Sequence, residues 1–218
     1  MLKIGVLASG RGSNFQSIID ERESDRLKAE IVLLVTDNPS AFAIQRAKKH
    51  NIEYSIILPK KYSSRDDFFK KIADELKKRD VELVVLAGFM RIVGKPLIDA
   101  FPNRIMNIHP ALLPSFPGLH GQRQALEYGV RISGCTVHFV DEGMDTGPII
   151  IQAAVPVLQN DTEETLSQRI LRFEHKIYPE AIRLFSEGRI EVEGRRVRIR
   201  EYKPVDAYMI NPFLPERL

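Results

Sequence analysis

Asn107 and His109 are separated by one apolar residue in the run RIMNIHP. If this run is a β-strand, both side chains point to the same face, because alternate residues of a strand do so. An amide N–H can donate to an oxygen that gains negative charge in a tetrahedral intermediate. An imidazole can donate to the same oxygen or move protons near neutral pH. The pair therefore indicates acyl transfer, and a purely structural role for both residues stays open.

Asp145 lies in an acidic, glycine-bearing loop, DEGMDTG, and is a candidate partner for His109. A carboxylate there could raise the basicity of the imidazole or accept the proton that leaves an attacking amine. The alternative is an ordinary hairpin loop, since Asp and Gly are common turn residues. The sequence has no Ser or Cys in a recognisable triad setting, so direct attack by a substrate amine is more natural than a covalent enzyme intermediate.

The loop SGRGSN, residues 9–14, follows an apolar run and precedes a helical pattern. Glycines allow close approach of a ligand, and a helix N-terminus offers free N–H donors, so the loop is a candidate phosphate site. A tight turn with Ser13 as the helix cap is the structural alternative. A dinucleotide site would use Asp37 but needs a glycine where Phe15 stands, so a mononucleotide-like phosphate fits better.

Short apolar runs alternate with amphipathic stretches along the chain, which predicts βαβ units and a parallel sheet. Strands are predicted at 3–8, 31–35, 53–57, 82–87, 104–108, 135–140 and 148–155, and helices at 14–23, 41–50, 64–79, 121–129 and 162–187. The last two strands are expected to pair antiparallel. The predicted fold is a single doubly wound α/β domain over residues 1–200, with a tail at 201–218 to which no structure is assigned. Its ligand crevice should lie at the carboxyl ends of the strands.

Composition restricts the classes of function. The 218 residues carry a net charge of +3, which allows a phosphorylated ligand but does not suggest nucleic-acid binding. Cys135 is the only cysteine, and the five histidines show no zinc spacing, so no metal is expected. The sequence shows no signal peptide and no apolar run that could span a membrane, which favours a cytoplasmic protein. The arginine-rich run 195–200 is interpreted as a charged, solvent-facing edge strand, with a nucleic-acid patch as the alternative.

Several segments together resemble the phosphoribosylglycinamide formyltransferase family, in matching order and spacing over about residues 2–190. They are VLASGRGSN, LAGFMRIV, MNIHPALLPSFPGLHG, HFVDEGMDTGPIIIQ and EHKIYP. The resemblance implies a Rossmann-like formyltransferase of de novo purine biosynthesis. Its co-substrate would be 10-formyltetrahydrofolate, its acceptor the amine of glycinamide ribonucleotide, and its assembly a monomer or homodimer.

The resemblance also implies roles for individual residues. The catalytic set is Asn107, His109 and Asp145, the phosphate site Gly12, Ser13 and Asn14, the acceptor contact Glu174, and an auxiliary histidine His120. The folate-binding residues are Arg65, Met90, Arg91, Ile92, Val93, Asp141, Glu142, Gly143 and Met144. The chain departs from some members at Leu171, where they have a lysine, so a basic role would fall to another residue such as Arg172.

The hypothesis for the mechanism is direct attack of the amine on the formyl carbon, with Asn107 and protonated His109 stabilising the oxyanion and Asp145 orienting His109. A formyltetrahydrofolate hydrolase is the nearest alternative, although the phosphate loop at the N-terminus without a preceding regulatory domain argues against it. A tRNA formyltransferase would need an added RNA-binding domain. An NAD-binding oxidoreductase and a non-catalytic folate- or nucleotide-binding module also stay open.

Overall fold

A seven-stranded sheet is the centre of the computed structural model, which describes residues 1–203, 209 and 211. The strands are β1 (Leu2–Leu7), β2 (Ala29–Thr36), β3 (Tyr54–Ile56), β4 (Leu83–Leu86), β5 (Ile105–His109), β6 (Ile132–Phe139) and β7 (Ile149–Pro156). Their order is β3-β2-β1-β4-β5-β6-β7. The first five in this order run parallel, whereas β6 and β7 are antiparallel to their neighbours.

Helices cover both faces of this sheet. They are α1 (Ser13–Glu23), α2 (Ala43–Lys49), α3 (Arg65–Lys77), α4 (Lys95–Ala100), α5 (Gly121–Tyr128) and α6 (Glu163–Ser186), with a short 3-10 turn at Pro59–Lys61. One apolar cluster joins the sheet to α1, α2 and α6, and a second joins the opposite face to α3 and α4. Parallel strands with two buried faces read as continuous apolar runs, as β4 does with its sequence LVVL. The predicted doubly wound α/β fold is confirmed.

Two features differ from the sequence-based predictions. Helix α4 is not among the predicted helices. Its Pro96 lies in the first turn, where proline is tolerated. The arginine-rich run forms β9 (Arg196–Ile199), as predicted, but it pairs with an unpredicted strand β8 (Ile190–Glu193) in a separate hairpin. Two of its arginines form cross-strand ion pairs, Arg198 with Glu193 at 2.9 Å and Arg200 with Glu191 at 2.8 Å.

The tail predicted at 201–218 lies largely outside the described residues. Of the described part, Asn211 donates from Nδ2 to the carbonyl oxygens of Arg131 at 2.6 Å and Val157 at 2.8 Å. Within the described part of the chain, no helix combines the length and the apolar character that crossing a membrane requires.

The N-terminus of α6 is anchored by a buried carboxylate. Asp161 accepts from both terminal nitrogens of Arg169, at 2.6 and 2.8 Å, and from the backbone N–H of Leu158 at 2.7 Å. The Arg169 hydrogen bonds lower the pKa of Asp161 from 3.8 to about 2. The ionised carboxylate therefore stabilises the folded state above pH ~4, and this stabilisation is lost as the pH falls from ~4 to ~2.

We expect Asp161→Asn to lower the free energy of unfolding at pH 7 by about 2 kcal/mol, the value that follows from this pKa difference. Urea unfolding of both proteins at several pH values provides the measurement. The difference between variant and wild type should shrink towards pH 2, and a difference that stays constant across the range would show that the charge of Asp161 is not its cause.

Candidate active site

A polar patch lies on one face of the sheet where β5 pairs with β6. Asn107 is directly opposite His138, and His109 is directly opposite Thr136. The residues between them face the apolar core on the other side, namely Met106, Ile108, Cys135, Val137 and Phe139. The period of two in both strands therefore sorts polar from apolar side chains, and it places Asn107 and His109 on one face, as the sequence predicts.

His109 is buried, and both of its ring nitrogens have a polar neighbour. Nε2 lies 2.8 Å from the carbonyl oxygen of Phe116, and Nδ1 lies 3.4 Å from Oδ2 of Asp145. Because a carbonyl oxygen can only accept, Nε2 bears the proton. Burial lowers the pKa of His109 from 6.5, although Asp145 and the Phe116 carbonyl oppose this. The neutral imidazole is thus the resting form, so the hypothesis of a protonated His109 requires proton uptake during the reaction.

Asp145 lies between two imidazoles. Its Oδ2 accepts from the backbone N–H of Gly118 at 2.8 Å, and its Oδ1 lies 3.6 Å from Nε2 of His138. Burial raises the pKa of Asp145, but the imidazole of His138, the N–H of Gly118 and the positive charge that His109 carries at acid pH outweigh burial, so its pKa is below 3.8. Its backbone has φ 54, a left-handed conformation that aspartate tolerates better than most residues. The structure thus brings Asp145 to His109.

The loop that follows β5 is held by two side chains that the sequence-based prediction missed. Thr136 donates from Oγ1 to the carbonyl of Ala111 at 2.7 Å and accepts from the N–H of Leu113 at 3.1 Å. Gln152 on β7 donates to the carbonyl of Leu113 at 2.9 Å. These bonds fix the start of the segment that supplies the Phe116 carbonyl and the Gly118 N–H.

The glycine-rich loop sits at the N-terminus of α1. Gly12 is the residue before the helix and has φ 66, and a Cβ there would lie 2.9 Å from Cβ of Ala43. Ser13 is the first helical residue rather than the cap, so the structural alternative for Ser13 is wrong. The free N–H groups of this first turn are available to an anion.

Asn14 is buried and bonds to an acid rather than facing solvent. Its Nδ2 donates to Oε2 of Glu174 at 2.8 Å, although the two residues are 160 positions apart. Burial raises the pKa of Glu174, and the hydrogen bond from Asn14 opposes this. The structure therefore joins the predicted phosphate loop to the predicted acceptor contact, and one N–H of the Asn14 amide is used in this bond.

A pocket of about 550 Å³ lies beside the segment that follows β4. Its lining includes Tyr62, Ser64, Arg65, Phe68, Phe69, Met90, Arg91 and Ile92. Arg65 donates to the carbonyl oxygens of Ile92 at 2.8 Å and Val93 at 3.1 Å. The guanidinium groups of Arg65 and Arg91 each lie 5.8 Å from a phenylalanine ring centre. Aromatic faces with two cations suit an aromatic, anionic ligand.

The other residues predicted to bind folate take different positions. The Val93 side chain is buried in the core, and its carbonyl oxygen accepts from Arg65. Glu142 pairs with Lys95 at 2.9 Å, linking the loop after β6 to α4. Asp141 accepts from the N–H of Gly143 and shapes that loop. Met144 is exposed and packs near Gly118, in the loop that follows β5.

His120 is not part of this cluster. It is exposed, precedes α5, and has as its nearest described acidic neighbour Glu163 at 3.8 Å. Among the described residues, no group of three or more His, Cys, Asp or Glu side chains is arranged to hold a metal ion.

Comparisons with known proteins identify the family. The chain matches the formyl transferase family over residues 2–182. The chain belongs to the formyl transferase family. It is 46% identical over 183 residues to phosphoribosylglycinamide formyltransferase of Bacillus subtilis, covering 84% of this chain and 94% of that protein. The crystal structure of glycinamide ribonucleotide transformylase 1 from Symbiobacterium toebii matches with TM-score 0.90 and 54% identity, covering 91% and 94% of the two chains.

A formyltetrahydrofolate deformylase from Pseudomonas syringae is a more distant relative of this formyl transferase. It has 26% identity and TM-score 0.84, and the match covers 91% of this chain and 65% of that one. The closer similarity to transferases does not favour the hydrolase. Nor is the NAD-binding alternative favoured, since Asp37, which would have to bind a ribose, pairs with Arg91 at 2.6 Å.

His138 is a further residue of this formyl transferase site that the sequence-based prediction missed. It was considered only as a possible zinc ligand, and the structure places it 3.2 Å from Asn107 and 3.6 Å from Asp145. The alternation of polar and apolar residues in CTVHFV indicates that Thr136 and His138 share one face of the strand, and this pattern could have identified His138.

Proposed function

We propose that the chain transfers the formyl group of 10-formyltetrahydrofolate to the amine of glycinamide ribonucleotide. The observation that supports this most strongly is the order of three adjacent strands, β1, β4 and β5. The glycine-rich loop follows β1, the pocket-lining residues 90–92 follow β4, and the Asn107–His109 pair ends β5. These three segments therefore lie side by side at the carboxyl ends of adjacent strands. A phosphorylated acceptor and an aromatic, anionic donor can thus meet beside the polar patch, in the usual crevice of open α/β sheets.

The two contacts between these loops support that arrangement. Ser9 in the phosphate loop donates from its N–H to the carbonyl of Gly88, and its Oγ accepts from the N–H of Met90, both at 3.0 Å. The hydroxyl of Tyr178 on α6 shares its one hydrogen between the carbonyl oxygens of Leu86, at 3.0 Å, and Met106, at 2.9 Å. Leu86 is the last residue of β4, and Met106 precedes Asn107. These hydrogen bonds hold the glycine-rich loop, the end of β4 and the end of β5 in fixed relative positions, as a catalytic site requires.

In the proposed reaction, the acceptor amine attacks the formyl carbon and a C–N bond forms. The formyl oxygen becomes an oxyanion, for which Asn107 Nδ2 and His109 Nε2 supply N–H donors once that oxygen replaces the Phe116 carbonyl as the partner of Nε2. The amine proton passes to the His109–Asp145 pair, where Nδ1 takes it up beside the carboxylate. The bond to the folate nitrogen then breaks, and that nitrogen receives the proton.

The acceptor is bound, in this proposal, by the first turn of α1 through its phosphate and by Glu174 through its sugar hydroxyls. We further propose that residues 1–200 form the catalytic domain, that 201–218 are a tail, and that the enzyme acts in the cytoplasm as a monomer or homodimer.

A spectrophotometric assay with 10-formyltetrahydrofolate tests the proposal. Release of tetrahydrofolate only when glycinamide ribonucleotide is present would support transfer. Equal release without the acceptor would support the hydrolase, and no release under either condition would contradict both and favour a binding module.

Gly12→Ala should weaken acceptor binding and stability together. The left-handed backbone costs a non-glycine residue about 1–2 kcal/mol, and the new methyl would press on Ala43. We expect KM for the acceptor to rise roughly tenfold, about 1.4 kcal/mol, with a smaller change in kcat. The matched variant is Gly10→Ala, because a Cβ at Gly10 meets nothing within 4 Å. Equal losses of thermal stability in both variants would show that backbone geometry at Gly12 is not the cause.

A further inference from the structure

His138 has one ring nitrogen whose state the structure determines. The side chain is 2% exposed, and its Nδ1 lies 2.8 Å from the carbonyl oxygen of Phe139. Since this oxygen can only accept, Nδ1 must bear a proton. In the neutral imidazole the other nitrogen, Nε2, is then an acceptor.

The neighbour that can donate to Nε2 is the amide of Asn107, whose Nδ2 is 3.2 Å away. The two residues face each other in the β5–β6 register, so the backbone itself sets this contact. An amide without such a partner could present either its oxygen or its nitrogen to a ligand. With one N–H of Asn107 bound to His138, the second N–H remains for an oxygen that gains negative charge.

The opposite protonation state would remove this arrangement. A doubly protonated His138 would donate from Nε2 to Asp145, whose Oδ1 is 3.6 Å away, and could no longer accept from Asn107. A positive charge on His138 would also lower the pKa of His109 and compete with it for Asp145. The neutral form of His138 therefore keeps the hydrogen bond with Asn107, and it leaves Asp145 to interact with His109.

We propose that His138 is a positioning residue whose neutral Nε2 holds the Asn107 amide with its nitrogen towards the formyl oxygen, an inference that rests on the proposed function of Asn107. His138 touches no reacting atom itself. It acts through the orientation of an oxyanion donor, and we expect it to affect kcat more than KM.

Two substitutions separate the contact of Nε2 with Asn107 from the contact of Nδ1 with the Phe139 carbonyl. His138→Asn keeps a donor near the Nδ1 position for the Phe139 carbonyl but loses the Nε2 acceptor. His138→Gln keeps an acceptor near the Nε2 position but loses the Nδ1 donor. Because loss of a whole oxyanion donor costs on the order of 10²- to 10³-fold, we expect kcat of His138→Asn to fall roughly 10- to 100-fold with little change in either KM. His138→Gln should retain most of the turnover.

The reverse order of the two variants, or equal kcat values, would overturn the proposal. So would a further loss when His138→Asn is added to Asn107→Ala, because the two residues should act as one unit. If both His138 variants fail to fold, the ¹⁵N NMR signals of the wild-type imidazole decide. An unprotonated Nε2 is expected, and a protonated Nε2 overturns the inference. This last measurement does not depend on turnover, so it separates failure of this inference from failure of the proposed formyl transfer.

Discussion

Asp145→Asn should reduce kcat on the order of 10³- to 10⁴-fold while Kd for folate changes little, as expected when the acid of a His–Asp pair becomes an amide. The asparagine would remove the negative charge beside Nδ1 of His109, now 3.4 Å away. Both His109 Nδ1 and the N–H of Gly118, which donates at 2.8 Å, contact the same oxygen, Oδ2. An NH₂ group in the place of Oδ2 would therefore block proton uptake at Nδ1 and oppose the Gly118 donor, whereas an NH₂ group in the place of Oδ1 would face Nε2 of His138.

Single-turnover kinetics and a folate binding titration provide the measurements, with urea unfolding at pH 7 to exclude loss of the fold. Asp99→Asn is the matched control, since Asp99 is exposed and forms only a surface ion pair with Lys95. Such pairs contribute about 0–1 kcal/mol, so this variant should behave like the wild type. Near-normal turnover of Asp145→Asn would remove Asp145 from the mechanism.

Local patterns were sufficient to predict the sheet and the first pair of site residues. The apolar runs of β1, β2, β4 and β5 and the helices between them require a parallel sheet with two covered faces. The period of two then places Asn107 and His109 on one face without any tertiary information. The cap of α3 could also be predicted, because Ser64 accepts from the N–H of Asp67 within one turn.

Contacts between distant segments could not be predicted in this way. Asn107 meets His138 only because β6 pairs antiparallel with β5 in one register, and a shift of one residue would turn His138 into the core. Asn14 meets Glu174 across 160 residues, so one N–H of an amide that the sequence predicts to bind phosphate is bound to a carboxyl group, and the amide has one further N–H.

The Asn14–Glu174 contact also has a consequence for charge at the phosphate loop. An ionised carboxylate next to the first turn of α1 would repel a bound phosphate, but burial raises the pKa of Glu174 and so disfavours its ionised form. This lessens the conflict between the proposed acceptor contact of Glu174 and the proposed phosphate site at the start of α1.

His109→Phe should lower kcat on the order of 10³- to 10⁵-fold, at least as much as Asp145→Asn, because it removes an oxyanion donor and a proton acceptor at once. The wild-type enzyme should also show an acid limb in kcat/KM that this variant lacks. Burial lowers the pKa of His109 from 6.5. Below that lowered pKa the imidazole is already protonated in the free enzyme and cannot take the amine's proton. The rate should therefore fall as the pH drops through a value under 6.5, and above that value His109 should impose no further change.

Neither Asp145 nor the acceptor amine accounts for an acid limb that His109→Phe lacks. The pKa of Asp145 lies below 3.8, which is too acidic, and titration of the acceptor amine affects every variant alike. His120→Gln is a useful comparison, since His120 is exposed and its nearest described acidic neighbour is Glu163 rather than Asp145. It should keep the acid limb and lose less than about tenfold in kcat, short of the usual contribution of a general acid or base. An acid limb that persists in His109→Phe but disappears in His120→Gln would assign the proton transfer to His120 instead.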